Sequence, residues 1–291
     1  MKIIKNDIYR KMDEALDFYG INEKYKKMCY DCVEGIKNSS IYIKVFDNVY
    51  KKLYYNDFSE IRELWEEKDI NKLFAKNVNP FITNIMILLG YEFHIYNIKQ
   101  YNLDENQIRI HKKRVKECFE NDIEIRGYKG IRISQMLWAI YFIRLRIIEI
   151  GRLQYQYSVT EDNKQIIKIH IPRGEKLDIT SVKESIKKSK QPIEKIFKLS
   201  NCEYICDSWL LSNQVHELID KDTNIYKFQQ LFDVEDGKNC INDILNFVFN
   251  IDEIKDYKLL EENTKLQRII KQELLNNREF YKGLGTLKKF E

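Results

Sequence analysis

The sequence predicts an α+β chain, with an all-helical first part and a second part built on a mixed β-sheet flanked by helices. Three observations carry this reading. Up to about residue 125, apolar residues recur at helical spacing throughout. Over residues 149 to 159 they alternate instead, with Leu153, Tyr155, Tyr157 and Val159 on one face and Arg152, Gln154, Gln156 and Ser158 on the other, as a half-buried strand requires. Residues 149 to 211 then read in order as strand, strand, tight loop, capped helix and strand.

The helical segments fall near residues 8 to 19, 23 to 37, 41 to 55, 58 to 75, 81 to 97 and 104 to 120. Residues 57 to 60 suit a helix entry, and residues 77 to 80 break the chain at a proline. Residues 121 to 130, with two glycines and mixed charges, mark the boundary between domains at 1 to 125 and 126 to 291. An apolar helix over 136 to 148 leads into the first strand. In the second strand Ile167, Ile169 and Ile171 alternate against Lys168 and His170, and Pro172 ends the run because proline cannot donate to a ladder. The helix opened by PRGEKLDITSV has capping-box spacing at Ser181 and Glu184. Its packing face is Val182, Ile186, Ile193 and Ile196, and Pro192 is expected to kink it. A third strand spans 202 to 211, short helices follow at 214 to 219 and 224 to 231, and a short strand at 232 to 234. Helices over 239 to 250 and 263 to 278 come next, and YKGLGT at 281 to 286 reads as a C-terminal loop.

Composition narrows the function. The 49 basic and 45 acidic residues leave a net charge of +4, so no strong field favours nucleic acid or an anionic membrane. The opening MKIIKNDIYRK scatters charges where a secretory signal needs an apolar stretch, which leads us to expect a cytoplasmic location and reduced thiols for the six cysteines. Cys29 and Cys32 form a C-x-x-C but share a helical face with Tyr25 and Ile36, as core residues do. Cys202 and Cys206 lack a histidine at zinc-finger spacing, and no metal is expected.

Short phrases in the second half carry a resemblance. Gly151-Arg152-Leu153-Gln154-Tyr155, Ile169-His170-Ile171-Pro172, Ser208-Trp209-Leu210-Leu211, Thr223-Asn224-Ile225 with Phe228 and Phe232, and Thr264-Lys265-Leu266-Gln267-Arg268 occur in this order. The chain thus resembles a bacterial family with a helical N-acyltransferase N-terminal domain and a GNAT-like C-terminal domain. The resemblance implies a GNAT-like mixed sheet and acyl-CoA as co-substrate.

The residues agree in part. A strand feeding a loop at a helix N-terminus leaves backbone N–H groups that attract an anion such as the CoA pyrophosphate. Candidates for that role are Ile171, Arg173, Gly174, Lys176, Ser181 and Val182. The loop departs from the superfamily's Q/R-x-x-G-x-G/A pattern, having one glycine and an acidic Glu175. Acyl transfer to an amine needs a base, an oxyanion donor and an acid for the thiolate. His170 and Asp207 are candidate bases at strand ends, and N–H groups around Ile171 suit the oxyanion. The superfamily's tyrosine position is filled by Phe228, so Tyr226, displaced by two residues, and Ser208 are the candidate acids. Asn224 either bonds the pantetheine arm or caps its helix, and Arg152 with Gln154 either line an acceptor pocket or form an exposed strand face. Two functions stand side by side: an N-acyltransferase acting on a small-molecule or peptide amine, and a non-catalytic GNAT-like ligand-binding or scaffold protein.

Overall fold

A computed structural model describes residues 7–55, 79–125, 127 and 129–289. The helix expected over 58 to 75, with its entry at 57 to 60, lies outside them. The chain divides into two compact units, residues 1 to 149 and 150 to 291.

The first unit holds α1 (Ile8–Tyr19), α2 (Lys26–Lys37), α3 (Ser40–Tyr55), α4 (Ile82–Leu88), α5 (Tyr91–Gln100), α6 (Glu105–Glu124) and α7 (Ile133–Ile143). In α1 the buried residues Ile8, Met12, Ala15, Leu16 and Tyr19 share one stripe, and Gly20, at φ 65°, closes the helix with its N–H on the last-turn carbonyls. Each such large apolar side chain contributes about 1.5–3 kcal/mol when fully withdrawn from water. Cys29 and Cys32 are buried on the inner face of α2, where burial pushes both thiols up to about 12. The helix expected over 81 to 97 is instead broken into α4 and α5. Tyr54 and Tyr50 donate to the carbonyls of Met86 and Leu89 at 2.8 and 3.0 Å, and a Cβ on Gly90 would lie 2.2 Å from the Tyr54 hydroxyl oxygen. α7 ends earlier than expected because Leu145 takes a left-handed conformation at φ 50°, with Arg146 N–H turned back to the Tyr141 carbonyl at 2.8 Å. Met136, Ala139, Ile140, Phe142 and Ile143 pack in the helical core of the first unit.

Gly35, by contrast, is exposed within α2 and has nothing within 4 Å of its would-be Cβ. Gly35→Ala is therefore expected to stabilise the protein by about 0.5–1 kcal/mol through the lost freedom of the unfolded chain. Urea unfolding checks this.

Six strands form one mixed sheet in the order β1-β2-β3-β4-β6-β5: β1 (Ile147–Ile150), β2 (Leu153–Val159), β3 (Gln165–His170), β4 (Glu203–Ser208), β5 (Phe232–Asn239) and β6 (Tyr281–Leu287). The run expected as one strand over 149 to 159 breaks at Gly151, whose φ of 57° only glycine adopts cheaply. β2 and β3 form an antiparallel hairpin, β3 and β4 run parallel, and β6 is antiparallel to both β4 and β5. α8 (Ile179–Phe197) connects β3 to β4 and buries Val182, Ser185, Ile186, Ser189, Ile193 and Ile196. It continues through Pro192. Its cap is Asp178 rather than Ser181: the Asp178 carboxylate accepts from both the N–H and the hydroxyl of Ser181 at 2.8 Å. α9 (Asn213–Leu218), α10 (Asn224–Gln229), α11 (Ile241–Val248) and α12 (Lys265–Leu275) complete the unit.

The C-terminal phrase YKGLGT is a strand, not a loop. β6 lies between β4 and β5, and its glycines are there for space: a Cβ on Gly283 would meet the Leu211 carbonyl oxygen at 2.1 Å, and one on Gly285 would meet Leu211 and Phe232 at 2.6 and 2.9 Å. Among the described residues no helix is long and apolar enough to cross a membrane.

Candidate active site

The parallel β3–β4 ladder is short. It pairs Ile166 with Glu203, Ile167 with Tyr204 and Lys168 with Ile205, and stops there although β3 runs on to His170 and β4 to Ser208. The two strands therefore part at their C-terminal ends, leaving a wedge in the sheet where ladder groups are not committed to each other. Counting on from the last pair brings His170 level with Asp207. The alternation of side chains puts both on the same face, together with Gln154 and Gln156 of β2. The two candidate bases thus stand at the ends of neighbouring strands, on one face.

His170 is half-buried, and its Nε2 lies 2.8 Å from Oε1 of Gln156. With that oxygen as acceptor, Nε2 carries the hydrogen and the lone pair lies on Nδ1. Desolvation, followed by repulsion from Lys168, lowers the imidazole to about 4, so it is neutral near pH 7. Gln156 is a partner that the sequence reading placed on the right face without giving it a role; the two-residue period and the hairpin register are what identify it. Gln154 is buried and is the direct cross-strand neighbour of His170. Asp207 is exposed. Ser208 accepts from the N–H of Leu210 at 3.1 Å, capping a single 3-10 turn over Trp209–Leu211, which leaves its O–H as a donor.

The loop after β3 is held from within. Arg152, 6% exposed, donates to the carbonyls of Pro172, Glu175 and Lys176 at 3.0, 2.7 and 2.9 Å. Arg152, expected either to line an acceptor pocket or to lie on an exposed strand face, is nearly buried with its guanidinium on this loop. Gly174 sits at the bend with φ 102°, and Lys176 is exposed. Arg173 does not reach into the loop: it donates to the carbonyl and side-chain oxygens of Asn246 at 2.6 and 2.5 Å and lies over the Phe247 ring at 4.5 Å, binding the loop to the end of α11. Ser181 is tied to Asp178, and Val182 is a core residue whose N–H goes to the Asp178 carbonyl at 3.0 Å. The first turn of α8 is thus already served by a carboxylate, held below its usual range first by the Ser181 backbone N–H.

Farther along the chain, Thr223 caps α10, accepting from Tyr226 N–H at 3.2 Å, which leaves Asn224 exposed at the first helical position and not as the cap. The Tyr226 ring stacks on His216 with centroids 4.5 Å apart, and His216 Nδ1 lies 2.6 Å from Gln229 Oε1. Tyr226 therefore belongs to a cluster of its own at the α9–α10 corner. Phe228 is fully buried against Phe232. Among the described residues no group of three or more His, Cys, Asp or Glu is placed to hold a metal ion.

Residues 147–287 match the model of the GNAT-like C-terminal domain family. This segment is similar to the GNAT-like C-terminal domain over nearly the whole of the second unit. Among solved structures, an acyltransferase in complex with decanoyl-CoA aligns with a TM-score of 0.66 at 15% identity, covering 95% of this chain and 98% of the other. An acyltransferase in complex with decanoyl-CoA and teicoplanin aligns at 0.63 and 16% identity over 95% and 99% of the chains, and one in complex with CoA and 10C-teicoplanin at 0.64 and 15% over the same shares. These likenesses establish the fold over both units. No curated protein matches the chain. Within this segment, the β3–β4 ladder ends before either strand does, and Arg152 clamps the loop that follows β3.

Proposed function

We propose that this protein transfers an acyl group from an acyl-CoA thioester directly to an amine. The observation that carries the reading is the parting of β3 from β4 beside a loop whose carbonyls are turned inward. The similar acyltransferases that hold acyl-CoA or CoA support it. The wedge receives the pantetheine arm, and the loop over 172 to 177 takes the pyrophosphate on its N–H groups. Backbone N–H groups around Ile171 face the thioester oxygen as it becomes an oxyanion.

In the transfer, the amine nitrogen bonds to the thioester carbon and the C–S bond breaks. An imidazole held near 4 is too weak to deprotonate a free ammonium, so the acceptor enters as neutral amine. His170 then takes the proton made acidic on nitrogen when the C–N bond forms. Ser208 is the donor assigned to the departing thiolate, with Asp207 at the acceptor's entrance. The acceptor is a small-molecule or peptide amine, in keeping with the teicoplanin-bound structures of similar fold. A cytoplasmic location, where acyl-CoA is at hand, accords with this reading.

Calorimetry with acetyl-CoA and decanoyl-CoA tests the reading: micromolar binding of either is expected, and absent or millimolar binding of both rejects it. Bound CoA with no thiol release toward any amine would instead favour a non-catalytic module, the reading supported by Phe228, which is fully buried and offers no hydroxyl. His170→Gln is expected to lower kcat by about a hundredfold or more with little change in acyl-CoA affinity. An unchanged kcat removes His170 from the chemistry.

A further inference from the structure

We infer that Arg152 is the positioning residue of the diphosphate loop, holding it in the one arrangement that presents its N–H groups to an anion. This rests on the acyl-CoA reading above and goes beyond it, because it assigns recognition to a side chain on the opposite side of the loop from the ligand.

Across a trans peptide the C=O and the following N–H point in opposite directions, and the described residues contain no cis bonds. The guanidinium draws the carbonyls of Pro172, Glu175 and Lys176 toward itself. The N–H groups of Arg173, Lys176 and Leu177 are thereby turned to the other side, away from the arginine. Gly174, at φ 102° between the first carbonyl and the other two, lets the chain reverse direction so that one planar fork reaches all three. The arginine is nearly buried, and a charge withdrawn from water in this way is compensated by these carbonyl dipoles. Its positive charge also stands directly behind the N–H groups, adding to the field an anion meets.

Two further observations direct the anion to the loop and not to the helix. The first turn of α8 is occupied by the Asp178 carboxylate, and the Arg173 guanidinium is engaged with Asn246. What remains for a diphosphate is the loop backbone that Arg152 arranges. Gly151, at φ 57°, makes the turn before β2 that carries Arg152, so the Gly-Arg pair acts as a unit.

The test uses Arg152→Lys, whose three donors sit on one nitrogen and do not span the carbonyls that the guanidinium reaches from Nε, Nη1 and Nη2, and Arg152→Gln, on the full-length protein. Two ligands are compared by calorimetry: decanoyl-CoA, and decanoyl-pantetheine, which lacks the diphosphate. Both variants are expected to weaken decanoyl-CoA roughly tenfold or more while decanoyl-pantetheine changes by less than about twofold. A second measurement needs no ligand: tryptic cleavage after Arg173 and Lys176 is expected to accelerate in the variants while cleavage elsewhere keeps its rate. Equal losses for both ligands, or unchanged decanoyl-CoA affinity, overturn the role of Arg152 and leave the acyl-CoA reading intact. Unchanged loop cleavage overturns it as well. If the unmodified protein binds neither ligand, the acyl-CoA reading fails and the assignment falls with it.

Discussion

Gly283→Ala is expected to destabilise the protein by about 3 kcal/mol or more, at the upper end of what overpacking costs. The new methyl would lie 2.1 Å from the Leu211 carbonyl oxygen and 2.5 Å from its carbon. Both are backbone atoms at the end of a 3-10 turn capped by Ser208, so no side chain can swing aside. Relief requires moving β6, which pairs on one side with β4 and on the other with β5, so two ladders would loosen for one methyl. Urea unfolding with Gly35→Ala as the partner experiment gives opposite signs for the same chemical change. A loss below about 1 kcal/mol for Gly283→Ala would mean that the turn yields, and the close packing claimed here would be wrong.

Acid should weaken the first unit well before its carboxylates titrate. His94 and His111 are both fully buried in the helical core, with ring centroids 5.8 Å apart. Tyr19 Oη lies 3.1 Å from His94 Nδ1, while His94 Nε2 has no hydrogen-bond partner among the described residues. Desolvation holds His94 well below 6.5, and lowers His111 to about 4 against the opposing pull of the Phe142 backbone and Glu149. The unfolded chain takes up a proton on each near 6.5, whereas the folded chain refuses it until far lower. Stability is thus complete above pH 6.5 and falls as the pH drops toward 4, by about 3 kcal/mol for His111 alone. His94 adds in the same direction. Unfolding free energies at pH 7.5 and 4.5 check the slope, and His111→Phe, which keeps the ring and removes the titration, should flatten it. An identical slope in that variant would exonerate the histidine.

The helices of the first half were legible in the sequence because burial imposes a period on long segments: Ile8, Met12, Leu16 and Tyr19 announce α1 with no help from the rest of the chain. The β2–β3 hairpin and α8 were legible for the same reason. β6 was not, because glycine signals both a turn and a place where two backbones meet, and only the position of Leu211 decides between them. The break between α4 and α5 was equally hidden, since it depends on tyrosines from α3 capturing carbonyls of another helix. At the site, the strand pattern put His170 and Asp207 at strand ends, but that they share a face follows from the β3–β4 register, which the sequence does not carry. The partners of Arg152 and Arg173 were out of reach: a long side chain chooses among carbonyls brought close by the tertiary fold. The Asp178 cap is legible from its spacing, three residues before Ser181, where a carboxylate meets the third helical N–H.

The strand that joins β4 to β5 is made after both of them. During synthesis, then, the right-hand margin of the nascent sheet stays open at β4, and β5 waits as an orphan with no neighbour to zip onto until Tyr281–Leu287 has left the ribosome. Chaperone demand should peak in that interval, and a ribosome stalled there would leave two sticky margins in place of a finished molecule.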